Sequence, residues 1–268
     1  MIPDWVKTFY QSGIEKWPLA SENIKNLEKV KVKKFDTGPF QFKVQFNPAR
    51  AVSTLANVTR EALEKRECFL CENNRPAIQK SFNILTDWDF LINPYPILPY
   101  HFTIVNKHHT PQSLDVNIGR KLALALPGMV VFYNSQGAGA SAPDHAHFQA
   151  VPIRELPLID LLERKNRDGD FLNSLPFKIF PIPKDFRESF PLNAYFWLGE
   201  NGKVNDIIIP RSSHRPSQYF LDPPYRRAVS PGGIDMGGVF VTPFEEDFLK
   251  FTSSDIIDIL HQVGLRNF

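Results

Sequence analysis

Alternating apolar and polar residues predict a β-hairpin near the start of the chain. The alternation runs over residues 30–35 and again over residues 40–46. Successive side chains of a strand point to opposite faces, so this period is typical of strands with one face in water. Residues 36–39 read Asp-Thr-Gly-Pro, which supplies turn chemistry between the two strands.

The rest of the chain contains apolar runs of both periods. Runs rich in β-branched and aromatic residues predict strands, and apolar residues at helical spacing predict helices. The predicted strands cover residues 90–93, 101–105, 129–134 and 144–151, with a later hairpin over 195–209, and the predicted helices cover residues 118–125, 156–167 and 254–263. Because strands and helices do not alternate regularly, the sequence predicts an α+β fold with a mainly antiparallel sheet and packed helices.

Composition and charge narrow the classes of function. The 268 residues are 43% hydrophobic, enough for a full core, and we expect a single domain over residues 1–268. The formal net charge is only +2, which argues against the broad basic surface of a protein that binds nucleic acid polymers. The apolar run 122–132 is interrupted by Pro127 and too short to cross a bilayer. We therefore expect no membrane partner and a cytoplasmic location.

Two histidines stand on the predicted strand of residues 144–151. In an extended strand His145, His147 and Gln149 point to the same face. A histidine pair of this kind is, by itself, most often polar surface. A neutral imidazole is, however, a competent nucleophile toward phosphorus near neutral pH, and an amide one period further along can donate to a phosphoryl oxygen.

The loop before this strand is suited to an anion. It carries Gly137, Gly139 and Ser141. Glycines let backbone N–H groups approach an anion closely, so loop and strand together indicate a phosphate site.

This segment resembles a known superfamily. Asn134, Gly137 and Ala138, followed by the pattern His145-x-His147-x-Gln149, are similar to the active-site segment of galactose-1-phosphate uridylyltransferases in the histidine-triad superfamily. The sequence His-Ala-His-Phe-Gln also resembles the corresponding segment of GDP-hexose phosphorylases and dinucleoside-polyphosphate phosphorylases. The resemblance implies a histidine-triad-like (HIT-like) fold and a covalent nucleotidyl-histidine intermediate.

The same resemblance implies roles for individual residues. His147 would be the nucleophile, and Gln149 would contact the phosphate. Residues 46–50 resemble the arginine-bearing segment on the nucleotide side, and a planar guanidinium suits bidentate phosphate recognition; a solvated surface arginine is the alternative for Arg50. The expected nucleotide and phosphate contacts come from Arg50, Asn134, Gly137, Gly139 and Ser141.

Cys68 and Cys71 are the only cysteines, and they lie too close in sequence to close a useful disulfide loop. A pair at this spacing is a zinc half-site, a redox motif or a buried pair, and the redox motif expects a βαβ context that the flanking residues lack. Cys-Phe-Leu-Cys with Arg75 after it resembles the zinc-binding segment of the same uridylyltransferases. The resemblance implies structural zinc held by Cys68, Cys71, His109 and His145, with His108 as the alternative to His109.

The resemblance is sharpest over residues 46–151 and weaker over residues 152–268. Ala146 stands where the uridylyltransferases have a proline between the histidines, and the phosphorylases also lack this proline. We therefore expect a phosphorylase that acts on a nucleoside-diphosphate sugar or a dinucleoside polyphosphate. The alternatives are a hexose-1-phosphate nucleotidylyltransferase and, from another class, a non-catalytic zinc-containing protein that binds nucleotides.

The expected partners are a nucleotide or nucleotide-sugar substrate and a phosphate-bearing acceptor, and a homodimer would be compatible with them. Residues 210–215, which include Arg211, His214 and Arg215, are a candidate segment for the acceptor phosphate because of their charge. The glycine-rich residues 230–238 match no phosphate-binding pattern, so we interpret them as turns.

Overall fold

The computed structural model describes residues 1–36, 41–55, 59–164 and 172–265. Helices within these ranges are α1 (Asp4–Lys16), α2 (Pro18–Leu27), α3 (Ala51–Thr54), α4 (Arg60–Glu64), α5 (Val116–Ala125), α6 (Pro157–Arg164), α7 (Gly233–Met236), α8 (Glu245–Lys250) and α9 (Ser253–Val263). Strands are β1 (Lys31–Asp36), β2 (Gln41–Phe46), β3 (Ser81–Leu85), β4 (Trp88–Ile92), β5 (Phe102–Asn106), β6 (Met129–Asn134), β7 (His147–Pro152), β8 (Leu192–Leu198), β9 (Val204–Pro210) and β10 (Val239–Thr242).

Seven strands form the large sheet in the order β3-β4-β5-β7-β6-β8-β9. Every neighbouring pair in it is antiparallel, which confirms the predicted α+β fold with a mainly antiparallel sheet. β7, which carries His147 and Gln149, lies inside the sheet between β5 and β6. Both edges of β7 are therefore hydrogen-bonded, and the direction of its side chains is fixed.

A second sheet has the order β1-β2-β10. The antiparallel pairing of β1 with β2 confirms the predicted hairpin, whose turn at residues 37–40 lies outside the described residues. β10 pairs parallel to β2, a contact that local periodicity does not predict. This pairing brings the C-terminal part of the chain beside the segment that leads to Arg50.

Buried aromatic side chains cover both faces of the large sheet. On one face α1 and α5 pack over a cluster that contains Phe90, Phe102 and Phe148. On the other face β2, β10, α6 and α9 pack over a cluster that contains Phe132 and Trp197. Each such side chain stabilises the fold by about 1.5–3 kcal/mol on burial, so these phenylalanines contribute much of the core.

Most predicted elements agree with the structure to within one to three residues at each end, and β7 differs at a residue of the predicted site. β7 begins at His147, so Asp144, His145 and Ala146 precede the strand that was expected to contain them. The reason is that the Ala146 N–H donates to the Thr110 carbonyl oxygen at 2.7 Å, outside the ladder. The helix predicted over residues 156–167 is α6, and residues 165–167 lie outside the described part of the chain.

Helix α5 begins where its sequence supplies a cap. The Asp115 carboxylate accepts hydrogen bonds from the N–H groups of Asn117 and Ile118, at 2.9 and 3.0 Å, and these N–H groups have no partner inside the helix. Among the described helices, none has the length and apolar character that crossing a membrane requires.

Candidate active site

The four residues expected to bind metal come together. The ligand atoms of Cys68, Cys71, His109 and His145 all lie within 4.8 Å of one another. Cys68 Sγ lies 3.3 Å from His145 Nδ1, and Cys71 Sγ lies 3.2 Å from His109 Nδ1. Tetrahedral zinc would separate sulfur and nitrogen ligands by about 3.6 Å. The cluster therefore fits a metal ion, and the donor set of two thiols and two imidazoles suits zinc or another soft divalent metal.

Neighbouring groups orient this cluster. His145 Nε2 donates to the Asn106 carbonyl oxygen at 2.7 Å, which directs the Nδ1 lone pair toward Cys68. Burial raises the pKa of the Cys68 thiol, but hydrogen bonds to the thiolate from backbone N–H groups and from the His145 ring in its protonated form outweigh burial and lower the pKa to about 6. His108 is exposed, with its Nε2 atom 3.8 Å from Asp87, and is not part of the cluster. Of the two adjacent histidines, the structure selects His109.

The ring of His147 is held in one tautomer. Its Nδ1 atom lies 2.8 Å from the His145 carbonyl oxygen, and because a carbonyl oxygen only accepts, Nδ1 carries the proton. In the neutral ring the lone pair is then on Nε2. Burial lowers the pKa of His147 to about 4, so the ring is neutral at pH 7. A neutral imidazole with its lone pair on Nε2 is chemically able to act as a nucleophile.

Gln149 is oriented by a residue that the sequence analysis missed. His101 Nδ1 accepts from the Ile97 N–H at 3.2 Å, so Nε2 carries the proton and donates to Gln149 Oε1 at 2.7 Å. Burial, together with the positive charge of Arg50, lowers the pKa of His101 to about 3 and keeps the ring neutral. The amide oxygen of Gln149 is thus occupied, and its N–H groups are left to donate to a phosphoryl oxygen.

Strand register could have pointed to His101. Thr103 lies opposite Gln149 on the neighbouring strand, and His101 is two residues before Thr103. Residues two apart on an extended chain share a face, so His101 is a diagonal neighbour of Gln149. The signal needs the pairing of β5 with β7, which the sequence pattern does not specify.

A cavity lies beside β7. Its walls include most of the residues expected to contact nucleotide or phosphate: Arg50, Asn134, Gly139, Ser141 and Gln149. Gly137 and His147 are not among its wall residues. Gly137 faces Pro191. His147 is buried two residues before Gln149, which is about 7 Å along the strand. The structure thus brings five of the seven expected catalytic and phosphate-contact residues into one cavity wall.

Arg50 is half-buried in this wall. Its Nη1 donates to the Tyr95 carbonyl oxygen at 2.7 Å, while its buried Nε–H has no hydrogen-bond partner among the described residues. Burial lowers the pKa of Arg50 to about 10, and the nearby Asp235 carboxylate opposes this shift. Arg50 is thus not the solvated surface arginine of the alternative interpretation.

The glycine loop and residues 232–233 meet at the cavity. Gly139 has φ +96°, and a Cβ there would lie 2.4 Å from the Gly232 Cα atom, so no side chain fits. The Asn134 carboxamide oxygen accepts from the Gly233 N–H at 2.8 Å and from Asn193 Nδ2 at 2.9 Å. Gly232 and Gly233 are therefore part of the cavity wall, which corrects their interpretation as turns alone.

The C-terminal part of the chain adds further wall residues: His214, Arg215, Ser230 and Asp235. Arg211 is not among them. It is 3% exposed, and its Nη atoms donate to the side-chain oxygen of Asn193 and to the Pro231, Ser213 and His214 carbonyl oxygens. Arg211 therefore holds the backbone around the cavity, and Arg215 is the arginine of this segment that faces it. His214 and Arg215 lie in the segment that its charge had indicated, whereas no pattern in the sequence indicated Ser230 or Asp235 as residues of this wall.

Comparisons with known proteins agree with this fold. The family model described as "Domain of unknown function (DUF4922)" matches residues 9–152. No curated protein matches the sequence. The crystal structure of yeast Ap4A phosphorylase Apa2 in complex with AMP is similar, with a TM-score of 0.61 and 17% identity over 100% of this chain and 99% of that chain. The same enzyme in complex with Ap4A gives 0.60 and 16% over 100% of both chains. The shared fold confirms the predicted HIT-like architecture.

Proposed function

The chain belongs to the family described as a domain of unknown function, DUF4922, and we propose that it is a phosphorylase that transfers a nucleotidyl group through His147. The observation that carries this proposal is the contact of His147 Nδ1 with the His145 carbonyl oxygen, which leaves Nε2 as the basic ring nitrogen. Similarity to a yeast Ap4A phosphorylase whose structures contain AMP and Ap4A supports a nucleotide substrate. We expect a dinucleoside polyphosphate or a nucleoside-diphosphate sugar.

In the first half-reaction the Nε2 lone pair of His147 attacks the α-phosphorus. The bond between Nε2 and phosphorus forms, and the bond from phosphorus to the bridging oxygen breaks with its electron pair on that oxygen. The leaving group is a nucleoside polyphosphate or a sugar 1-phosphate. The ring keeps its Nδ1 proton, and the His145 carbonyl oxygen stabilises the positive charge of the modified imidazole.

Gln149 and the glycine loop stabilise the charge that develops on the phosphoryl oxygens. His101 occupies the amide oxygen of Gln149, so the amide donates N–H groups toward the phosphate. Gly139 brings the backbone of the loop close to the same cavity. Donors that are fixed before the reaction lower the barrier because they need no rearrangement as charge shifts.

In the second half-reaction an oxygen of inorganic phosphate attacks the same phosphorus. The bond from phosphorus to Nε2 breaks, its electron pair returns to Nε2, and a nucleoside diphosphate leaves. Inorganic phosphate arrives already ionised, whereas water would need a general base, and the amide of Gln149 cannot take a proton. The nucleotidyl-histidine intermediate therefore reacts with phosphate rather than with water. A hexose 1-phosphate in place of inorganic phosphate would make the enzyme a nucleotidylyltransferase.

We further propose that Cys68, Cys71, His109 and His145 hold zinc. Zinc at four protein ligands is structural, and it would fix the ring and backbone of His145. The carbonyl oxygen of His145 is the group that orients His147. The metal site and the nucleophile are thus connected through one residue. A cytoplasmic location and a homodimer stay predictions from the sequence.

The proposal is tested by incubating the protein with Ap4A and with a panel of nucleotide sugars, first without phosphate. Intact mass should show an adduct of one nucleoside monophosphate that is labile in acid and stable in alkali. The adduct should be absent from His147→Ala and present in His108→Ala, because His108 is exposed and outside the site. Addition of inorganic phosphate should release nucleoside diphosphate.

Other outcomes identify the alternatives. A new nucleotide sugar formed only with hexose 1-phosphates would indicate the nucleotidylyltransferase. Rapid release of nucleoside monophosphate without any acceptor would indicate a hydrolase. Tight nucleotide binding without adduct or turnover would leave the non-catalytic nucleotide-binding protein and would refute the role of His147.

A further inference from the structure

We propose that His214, Arg215 and Ser230, here called the arginine group, form a subsite that binds a phosphate group. The role of this subsite in catalysis rests on the proposed function, but its affinity for phosphate does not. The bound group is either inorganic phosphate that acts as the acceptor or the terminal phosphate of a polyphosphate leaving group. Both offer the same tetrahedral array of anionic oxygens.

The three side chains of the arginine group contact each other. Arg215 Nε donates to Ser230 Oγ at 3.1 Å, and His214 Nε2 lies 2.9 Å from the same oxygen. All three line the cavity that also contains Gln149. The Ser230 hydroxyl therefore holds the guanidinium and the imidazole next to each other in the cavity wall.

The guanidinium of Arg215 is also held from two other sides. Its Nη2 donates to the Thr54 carbonyl oxygen at 3.3 Å, and its Cζ lies 4.2 Å from the centre of the Tyr219 ring. Tyr219 in turn donates from its hydroxyl to the Thr54 carbonyl oxygen. A planar cation fixed by stacking loses little side-chain entropy on binding, which favours bidentate recognition of a phosphate.

The backbone under the arginine group is fixed as well. Buried Arg211 donates to the carbonyl oxygens of Ser213 and His214, and on its other side to that of Pro231. It therefore ties the segment that carries Arg215 to the segment that carries Ser230. Sites that bind phosphate tightly need such support, because misplacement of the donors removes much of their effect.

The charged side chains of the cavity wall are suited to an anion. Among the described residues of the wall, Arg50 and Arg215 are basic and Asp235 is the acid, and Arg211 adds a further positive charge behind the wall. Asp235 already accepts from the N–H groups of Gly232 and Val241. Two guanidinium groups from different parts of the chain thus face one cavity. This arrangement suits a phosphate, because planar guanidinium groups are well matched to its oxygens.

The proposal is tested by the effect of substitutions on phosphate. Arg215→Gln should raise the KM for inorganic phosphate on the order of ten- to a hundredfold, the range expected for a lost charge-assisted bidentate contact. Arg215→Lys keeps the positive charge and most of the packing but loses the paired N–H donors of the guanidinium. It should therefore give a smaller rise in the KM for phosphate. Arg154→Gln is the matched control, because Arg154 is exposed and outside this cavity. Thermal melting of each variant separates loss of phosphate binding from loss of fold.

Two measurements distinguish the sources of the phosphate. If the subsite binds only the acceptor, Arg215→Gln should form the adduct from Ap4A at the wild-type rate. If it binds the leaving polyphosphate, adduct formation should slow, and inorganic tripolyphosphate should inhibit the wild type more strongly than the variant. Unchanged KM for phosphate together with unchanged inhibition by tripolyphosphate, in a folded Arg215→Gln protein, would overturn the subsite.

Calorimetric titration of the wild type with inorganic phosphate separates this proposal from the proposed function. Binding that Arg215→Gln weakens, in a protein that forms no adduct with any nucleotide, would support the subsite and refute the phosphorylase. Adduct formation with phosphate kinetics that Arg215→Gln and Arg215→Lys leave unchanged would support the phosphorylase and refute the subsite.

Discussion

The two sides of the cavity are assembled in different ways. On one side Gln149 follows His147 along a single internal strand, so the spacing in the sequence is also the spacing in space. On the other side Arg50, Arg215 and Asp235 come from segments far apart in the chain and meet only in the fold. The comparison shows why one short motif indicated the first side as a unit, whereas the residues of the second side were indicated separately or not at all. It also separates the experiments, since the proposed nucleophile belongs to the strand on one side and the proposed phosphate subsite to the other.

The largest effect is expected for the nucleophile itself. His147→Ala should lower turnover by about a thousandfold or more, because alanine has no group that can form the covalent bond to phosphorus. Turnover with saturating nucleotide and phosphate measures this loss. His108→Ala should retain wild-type turnover. Activity of His147→Ala within tenfold of wild type would place the chemistry on the side of the cavity formed by Arg50, Arg215 and Asp235. It would then be wrong to assign the nucleophile to the strand on the other side.

Loss of the metal cluster should act on stability. Protein purified without chelators should contain one equivalent of zinc, and Cys71→Ser should contain little. A metal that binds only the folded state adds several kcal/mol, so Cys71→Ser should melt at least about 10 °C lower. Elemental analysis and calorimetry measure the two quantities. If metal content is nil and melting is the same in both proteins, the four residues are a buried thiol and imidazole cluster without metal.

His101 should act through Gln149. His101→Phe removes the N–H that holds the amide oxygen, so the amide can rotate and kcat should fall about tenfold, the cost of about one hydrogen bond. A double-mutant cycle with Gln149→Ala provides the check. If His101 only positions Gln149, the second substitution costs much less in the His101→Phe background than alone. Fully additive losses would contradict the positioning role.

The smallest effect concerns stability in acid. Burial, reinforced by the charges of Arg215 and Arg211, lowers the pKa of His214 from 6.5 to about 4. The unfolded chain therefore binds this proton at higher pH than the folded chain, so folding stability is lost as pH falls from about 6.5 toward 4. His214→Gln should lose less stability over that interval. Denaturant unfolding at several pH values tests it, and an identical pH dependence in both proteins would show that His214 is not buried neutral.

Several features of the fold follow from local pattern. The β1–β2 hairpin, the β8–β9 hairpin and helix α5 are confirmed because each depends on periodicity, turn residues or a cap within a few residues. The predicted start of β7 was wrong by three residues, because the Ala146 N–H donates to the Thr110 carbonyl oxygen outside the sheet. The parallel pairing of β2 with β10 has no local signal. The single domain over residues 1–268 stays a prediction.

The sequence by itself indicated His147 as the candidate nucleophile and Cys68 with Cys71 as half of a candidate metal site. His147 and Gln149 share a strand, and Cys68 and Cys71 share a turn, so residues only two or three positions apart in the sequence indicate the chemistry. The tertiary structure alone decided that His109 rather than His108 joins the cluster, that His101 orients Gln149, and that Arg215 rather than Arg211 lines the cavity. Each of these choices depends on the direction of a side chain across paired strands or packed segments. That direction is set by contacts between residues distant in the chain, which local periodicity does not encode.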